Sequence, residues 1–321
     1  MDLLDIAIVG AGPTGLATAI EAHRRGLKYL VFDKGCITNS ILGFPTHMIF
    51  FTTPELLEIG GMPLVSDREK PSRNEALKYY RKVVQAFGIR VRQYEEVQQL
   101  EKSGTNAFRV RTSAGEYAAR HIVLATGYYD NPNKLGIPGE DLPHVSHYYT
   151  EPYSYFDRDV VVVGGRNSAA EAALDLFRGG ARVSLVHRGA EMGSTLKYWV
   201  RPDIENRLKA GEVKPFFNSL VKRITPESVE IDQAGTLHSL HADRVFLLTG
   251  YHSSTKFFEQ LGVKWDPDTL RPQFNSETFE TNVPGVYLAG SIVGGRFNAE
   301  VFIENGRFHG ESVVKAIAGG N

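Results

Sequence analysis

The sequence predicts an α/β protein made of two strand–turn–helix–strand modules. Three observations carry this reading. Short apolar runs end in glycine-rich turns at two places, Gly10 to Gly15 and Gly164 to Ala169. Each turn opens an amphipathic segment that leads to another apolar run. Two later apolar runs close in the same dipeptide, Thr126-Gly127 and Thr249-Gly250, a weak internal repeat. The simplest architecture has the chain leaving the first module near residue 130 and returning near residue 250.

The elements follow in order. Asp5–Val9 is a strand, Leu16–Arg25 a helix stopped by Gly26, and Tyr29–Phe32 the next strand. Residues 37–63 are rich in Thr, Pro, Gly and aromatics without a period, which reads as a long functional loop with short helical pieces. Ser72–Phe87 is a helix, with Ser72 and Glu75 spaced as a capping box. Phe108–Thr112 and Glu116–Ala118 are strands of a hairpin, and Ile122–Ala125 is a separate buried strand. In the second module Asp159–Val163 is a strand, Ala169–Phe177 a helix ended by Gly179-Gly180, and Arg182–Val186 a strand. Short strands follow around Val213–Glu230, then Arg244–Leu248. Gly285–Ala289 is the last strand, Gly290 a turn, and Ala299–Ile317 the closing helix.

A chain of 321 residues is long enough for two domains. Its 36 Lys and Arg against 37 Asp and Glu give a net charge of −1, which points to neither nucleic acid nor an anionic membrane as partner. The uncharged stretch Ile6–Ile20 is too short, and too broken by Gly and Pro, to span a bilayer. The N-terminus opens through Asp2 into a strand without a secretory pattern, and the single cysteine, Cys36, has no internal partner. A cytoplasmic protein is expected.

The first turn, Gly10-Ala11-Gly12-Pro13-Thr14-Gly15, fits the Rossmann fingerprint. Gly10 makes the tight turn, Gly12 lets the backbone approach a pyrophosphate, and Gly15 lets helix and strand pack closely. The helix N-terminus favours the phosphate charge. Asp33, at the end of the next strand, is placed to accept the hydroxyls of an adenosine ribose, so this site takes FAD or NAD. Gly164-Gly165-Arg166-Asn167-Ser168-Ala169 occupies the equivalent place in the second module, with arginine for the middle glycine. Either Gly165 permits the turn, or the pyrophosphate sits differently and touches the guanidinium. His187 and Arg188 stand where the first site has its acid. Arg188 suits a ribose 2′-phosphate, so this site takes NADP.

With these motifs the sequence resembles the flavoprotein reductases related to thioredoxin reductase, and among them the bacillithiol disulfide reductase family. The resemblance is near full length. Besides the glycine motifs it rests on Asn39-Ser40, Pro45-Thr46-His47-Met48, Phe51-Thr52-Thr53, Glu58-Ile59-Gly60-Gly61, His187-Arg188-Gly189 and Lys197-Tyr198-Trp199-Val200-Arg201-Pro202. It implies an FAD-binding domain from residues 1–129 and 251–321, with an NADPH-binding domain, 130–250, inserted between. Hydride would pass from NADPH to FAD and on to a small electron acceptor, in a homodimer or homotetramer. Asn39, Ser40, Pro45 and Thr46 would lie along the flavin. Gly290, Ser291 and a helix starting near Asn298 would approach its pyrimidine end. The implied cofactor contacts also include Pro13, Thr14, Lys34, Thr126 and Gly127 for FAD, and Asn167 and Ser168 for NADPH.

The sequence departs from its relatives in three ways. It lacks the C-x-x-C pair of thioredoxin reductases, and Thr14 stands where many bacillithiol disulfide reductases carry a cysteine beside the flavin. A threonine hydroxyl cannot take part in thiol–disulfide exchange. Ser291 stands where the wider class usually has Asp. Cys36 falls near the expected adenosine end and reads as an inert small residue. Thr14 and His47 are the residues expected nearest the chemistry; His47 is either a proton donor or a structural histidine. Tyr128-Tyr129 either wall the cofactor cleft or pack in the core. His144 and His147 lack a third ligand, so no metal is expected. The alternatives to a disulfide reductase are a ferredoxin-, flavodoxin- or quinone-type NADP reductase and a flavin redox sensor. The ending Gly319-Gly320-Asn321 lacks the aromatic extension common in the ferredoxin type.

Overall fold

The computed structural model describes residues 3–104 and 106–319. Asp2 and the closing Gly320-Asn321, which enter the expectations about the two termini, lie outside the described residues. The chain divides into two compact units. One is built from residues up to Gly43, Met48–Asn131 and Tyr251 onward; the other from Phe44–His47 and Pro132–Gly250.

In the first unit seven strands form one sheet. Leu3–Val9 is central, parallel to Tyr29–Phe32 on one side and to Glu116–Leu124 on the other. Ile6, Ala7 and Ile8 are fully buried, as a strand covered on both faces requires. Ala7 and Val9 join Phe32, Phe108, Leu124 and Leu288 in the core of this unit. The helix Pro13–Arg24 begins three residues earlier than its apolar pattern suggests, because Pro13 sits at its first position, where no N–H is needed. The helix Arg73–Phe87 carries the expected capping box. Ser72 Oγ accepts from the Glu75 N–H, and Glu75 Oε2 accepts from the Ser72 N–H at 2.7 Å.

Two expectations for this unit are corrected. Glu116–Leu124 is one nine-residue strand, not two. Its first half pairs antiparallel with Phe108–Thr112, and its second half pairs parallel with Val286–Leu288. The residues change from mixed polarity to a continuous apolar run where the strand passes into the parallel sheet, and that change imitates a boundary. The closing helix is two pieces, Ile303–Gly306 and His309–Gly319, and residues 299–302 are not helical. Asn305 turns the chain there: its Oδ1 accepts from the Phe302 N–H and its Nδ2 donates to the Glu300 carbonyl, each at 2.8 Å.

The second unit has a five-stranded parallel sheet in the order Val213–Phe216, Arg182–Val186, Asp159–Val163, Arg244–Leu247, Val145–Ser146. The helix Asn167–Arg178 covers it through Ala169, Ala173 and Leu176, which pack with Val160, Leu185 and Phe246. An antiparallel sheet of Ser219–Ile224, Ser228–Gln233 and Thr236–His241 completes the unit. The last of these strands has no fully buried residue, so no buried period announces it; its backbone pairing makes it a strand. Phe44–His47 belongs to this unit, with the Thr46 N–H donating to the Thr150 carbonyl at 2.8 Å.

Candidate functional site

In the first unit the glycine-rich turn is fixed by backbone contacts that admit no side chain. A Cβ at Gly10 would lie 2.3 Å from the Ala125 carbonyl oxygen, and one at Gly15 would lie 2.0 Å from the Gly10 oxygen. At Gly12 a Cβ would meet nothing within 4 Å, so its open side can admit a ligand. The helix Pro13–Arg24 starts there without a side-chain cap, presenting first-turn N–H groups that have no intrahelical acceptors. This is a cradle that fits a pyrophosphate.

Asp33 ties the turn to the next loop. Its Oδ2 accepts from the Ala11 N–H at 2.7 Å, and its Oδ1 accepts from the Gly35 N–H at 2.8 Å. Burial raises its carboxyl pKa, opposed by those two N–H groups. Each oxygen keeps a lone pair for a ribose hydroxyl. The Ala11 carbonyl in turn accepts from the Thr38 N–H, which anchors the short helix Asn39–Leu42 beside the turn. Asn39 lies under Gly35, where a Cβ would meet its amide at 2.3 Å, and Ser40 follows half-buried. Lys34 is exposed and pairs with Asp130 at 3.1 Å.

Cys36 lies in the same corner, its Sγ 3.8 Å from Asn39 Oδ1. Burial first, then the Asp33 charge, raise its thiol pKa, which is the opposite of what a reactive thiolate needs.

Around Thr14, in the first turn of the helix Pro13–Arg24, the structure gathers Gly290, Gly306 and, through Gly290, His309. A Cβ at Gly290 would lie 2.9 Å from Thr14 Oγ1, and one at Gly306 would lie 3.3 Å from the same atom. One turn further, a Cβ at Gly310 would lie 2.7 Å from the Thr18 backbone. Threonines four apart on one helix thus face glycines four apart on the closing segment. Gly290 has φ 83° and ψ −155°, a conformation suited to glycine. Ser291 begins a 3-10 turn, and its hydroxyl is the nearest group to the open side of Gly127. The Gly290 N–H donates to His309 Nδ1 at 3.1 Å, and the imidazole stacks on Phe279 with centroids 4.1 Å apart. Burial depresses the His309 pKa to about 4.

His309, Phe279, Gly306 and Gly310 are not legible in the sequence as site residues. The glycine pair at helical spacing is the one signal that points there. Asn298 is placed differently from expectation: it starts no helix, and its Nδ2 donates to the Tyr251 carbonyl at 3.0 Å. Tyr251 faces Tyr129 and Tyr128, with centroids 4.8 and 6.4 Å away, and Tyr129 donates to the Gly43 carbonyl at 2.8 Å. Thr126-Gly127 leads into this aromatic group, Gly127 having φ +66°.

In the second unit the equivalent turn is closed by an aromatic ring. A Cβ at Gly164 would meet the Leu248 oxygen at 2.6 Å, and one at Gly165 would lie 2.2–2.4 Å from the His187 imidazole. His187 therefore covers the turn instead of facing solvent. Burial first, then Arg188 and Arg166, lower its pKa and keep it neutral. Arg166, Ser168 and Arg188 are exposed. Asn167 also holds the neighbouring loop. Its Oδ1 accepts from the Lys197 N–H at 2.9 Å and its Nδ2 donates to the Thr195 carbonyl at 3.3 Å, pinning that loop to the helix N-terminus. Two exposed guanidinium-bearing residues beside an uncapped helix start fit a phosphorylated nucleotide.

Pro45, Thr46 and His47 fall in the second unit. His47 is exposed and meets Tyr153 edge-on at 6.0 Å. His147 is structural: its Nδ1 lies 3.2 Å from the Leu247 carbonyl and its Nε2 3.4 Å from the buried Glu140.

A model of the pyridine nucleotide-disulphide oxidoreductase family matches residues 7–290. The chain is similar to bacilliredoxin reductase Bdr of Bacillus subtilis strain 168, 45% identical over 313 residues, which are 97% of this chain and 96% of that protein. Its structure is similar to bacillithiol disulfide reductase Bdr from Bacillus cereus, at a TM-score of 0.97 and 42% identity, covering 100% of both chains. The Staphylococcus aureus protein of the same description matches at a TM-score of 0.96 and 37% identity, again covering 100% of both chains.

Proposed function

The chain belongs to the pyridine nucleotide-disulphide oxidoreductase family, and from that premise we propose that it reduces a low-molecular-weight disulfide of the bacillithiol type. It is a flavin-dependent oxidoreductase using FAD and NADPH. These cofactors supply the two-electron chemistry: NADPH, a proton and the disulfide become NADP+ and two thiols. The observation that carries the site assignment is the contrast between the two turns. Asp33, held on the Ala11 N–H, suits an adenosine ribose without a 2′-phosphate, and exposed Arg188 suits one with it. In this reading the first unit holds FAD and the second holds NADPH.

The residues act by binding and positioning. Gly12 admits the pyrophosphate, Asp33 holds the turn and meets the ribose, and Arg188 pairs with the 2′-phosphate. Asn39, Ser40, Thr126, Gly127 and the Gly290-Ser291 turn line the flavin in this reading. Exposed His47 is the proton donor for the departing thiolate. Thr14 offers no thiolate, and burial raises the Cys36 thiol pKa, so this reading assigns neither residue an electron relay. Similarity to proteins named bacilliredoxin reductase and bacillithiol disulfide reductase supports the substrate class.

Thr14 also favours a second reading, in which the acceptor is a quinone or a small redox protein that needs no thiol exchange. Anaerobic reduction with NADPH, followed by bacillithiol disulfide, ferredoxin and a quinone in turn, tests both. Re-oxidation by the disulfide supports the first reading; re-oxidation only by the others supports the second. We place the protein in the cytoplasm as a homodimer or homotetramer, on the strength of its single thiol and its resemblance to that family. Sedimentation of the holoprotein checks the assembly. No helix among the described residues is long and apolar enough to cross a membrane.

A further inference from the structure

His309 is 19 residues from Gly290 in sequence, yet its Nδ1 takes the Gly290 N–H at 3.1 Å. That N–H belongs to the peptide that turns the chain out of the strand Val286–Leu288. Thr14 occupies the space beside the Gly290 Cα, the Ser291 hydroxyl faces the open side of Gly127, and His309 holds the amide. The ring itself is clamped face to face on Phe279, at 4.1 Å and 23° between planes. The Phe279 carbonyl accepts from the Leu288 N–H at 3.0 Å, so the clamp returns to the same strand. Strand, aromatic ring, imidazole and turn form a closed loop of contacts.

An imidazole accepting at Nδ1 is neutral and carries its proton on Nε2. The depressed pKa agrees with the neutral ring. A buried Gly290 N–H deprived of this acceptor would be left unsatisfied, and the turn would rotate to find water. Gly290 allows that rotation more readily than any other residue. The glycine that gives the turn its shape therefore also makes it depend on an outside lock.

We propose that His309 is a positioning residue for the flavin cradle, acting through the Gly290 peptide to hold the Gly290-Ser291 turn against Thr14 and Gly127. The inference rests on the reading of this unit as the FAD site. It assigns His309 no proton transfer and no direct contact with substrate.

The test compares His309→Leu, His309→Asn and His309→Gln with the wild type. Asn can present Oδ1 where Nδ1 stands; Gln reaches toward the Nε2 position; Leu presents no acceptor. FAD is titrated into each apoprotein, and the flavin midpoint potential is measured in each holoprotein. The Leu variant is expected to bind FAD about ten-fold more weakly, with a shifted potential. The Asn variant should stay within about two-fold of the wild type, because it keeps the acceptor. The KM for NADPH, whose site lies in the other unit, should stay constant across the series. Equal FAD affinity and potential in wild type and Leu variant would overturn the proposal. So would an Asn variant as impaired as Leu, which would make ring stacking the sole role. If the Leu variant does not fold, Asn against Gln decides: equal affinities overturn the proposal, and tighter binding by Asn supports it. Wild-type protein that binds no FAD would overturn the flavin reading itself, and this inference with it.

Discussion

Thr14 and Gly290 interlock: the Cβ that Gly290 lacks would lie 2.9 Å from the Thr14 hydroxyl and 3.1 Å from its Cβ. The first glycine-rich turn is thereby joined to the last turn of the sheet across most of the sequence. Gly290 also has φ +83°, so two separate penalties meet any side chain there.

Gly290→Ala is expected to destabilise the protein by about 2–6 kcal/mol, the sum of left-handed backbone strain and overpacking. Gly290→Ala combined with Thr14→Gly should recover only the overpacking part. Thermal unfolding and FAD content of the wild type and the two variants check this; a Gly290→Ala variant as stable as wild type refutes it.

Thr14→Cys should place a thiol at a helix N-terminus, where the thiolate is favoured. Its fit between Gly290 and Gly306 is maintained, since cysteine is no larger than threonine. The variant is predicted to gain a titratable thiol and faster reduction of bacillithiol disulfide. Cys36→Ser should change the wild-type rate little. Anaerobic NADPH oxidation is the assay. Loss of turnover in the Cys36 variant would show that this thiol is the working one.

Arg188→Ala should raise the KM for NADPH far more than that for NADH. Loss of a charge-assisted contact is worth about 1.5–3 kcal/mol, or roughly ten- to a hundred-fold. Stopped-flow reduction with each nucleotide distinguishes this from a general loss of binding, in which both would weaken alike.

The pH dependence of stability follows from His309. Its pKa falls from an ordinary 6.5 to about 4 in the folded protein, with burial as the cause. The unfolded chain therefore binds the proton more readily. The contribution to stability is complete above pH 6.5 and is lost as pH falls toward 4, on the order of 3 kcal/mol in all. Below that the loss levels off. His309→Asn should flatten this part of the profile, measured by denaturant unfolding between pH 7 and 4. An unchanged slope would assign the acid sensitivity to other groups.

Much of this protein is legible because local chemistry and global fold agree. Gly10, Gly15 and Gly164 are excluded from carrying side chains by backbone atoms, and such positions write themselves into the sequence as glycine. Ser72 and Glu75 announce their helix because the cap is made within four residues. What stays hidden depends on distant partners. Nothing near His309 specifies that its acceptor meets Gly290, and nothing near Thr46 specifies its bond to Thr150. The strand Thr236–His241 has no fully buried residue, so pairing rather than patterning defines it. The two-part strand Glu116–Leu124 changes neighbours midway, and the change in polarity reads as a gap.

That strand has a consequence for the order in which the protein matures. Residues 122–124 pair with 286–288, so their sheet edge has no partner until the ribosome has made the last strand. Apart from Phe44–His47, the other unit is contiguous from Pro132 to Gly250 and is synthesised entirely within that interval. A nascent chain arrested just after Gly250 has emerged should thus be protease-resistant across residues 132–250 and still cleavable before them. Throughout this interval the unpaired edge at Ile122–Leu124 is open to pairing with a neighbouring nascent chain. A pause in translation between the end of the insert and residue 286 would lengthen that exposure, and misassembly should rise with it.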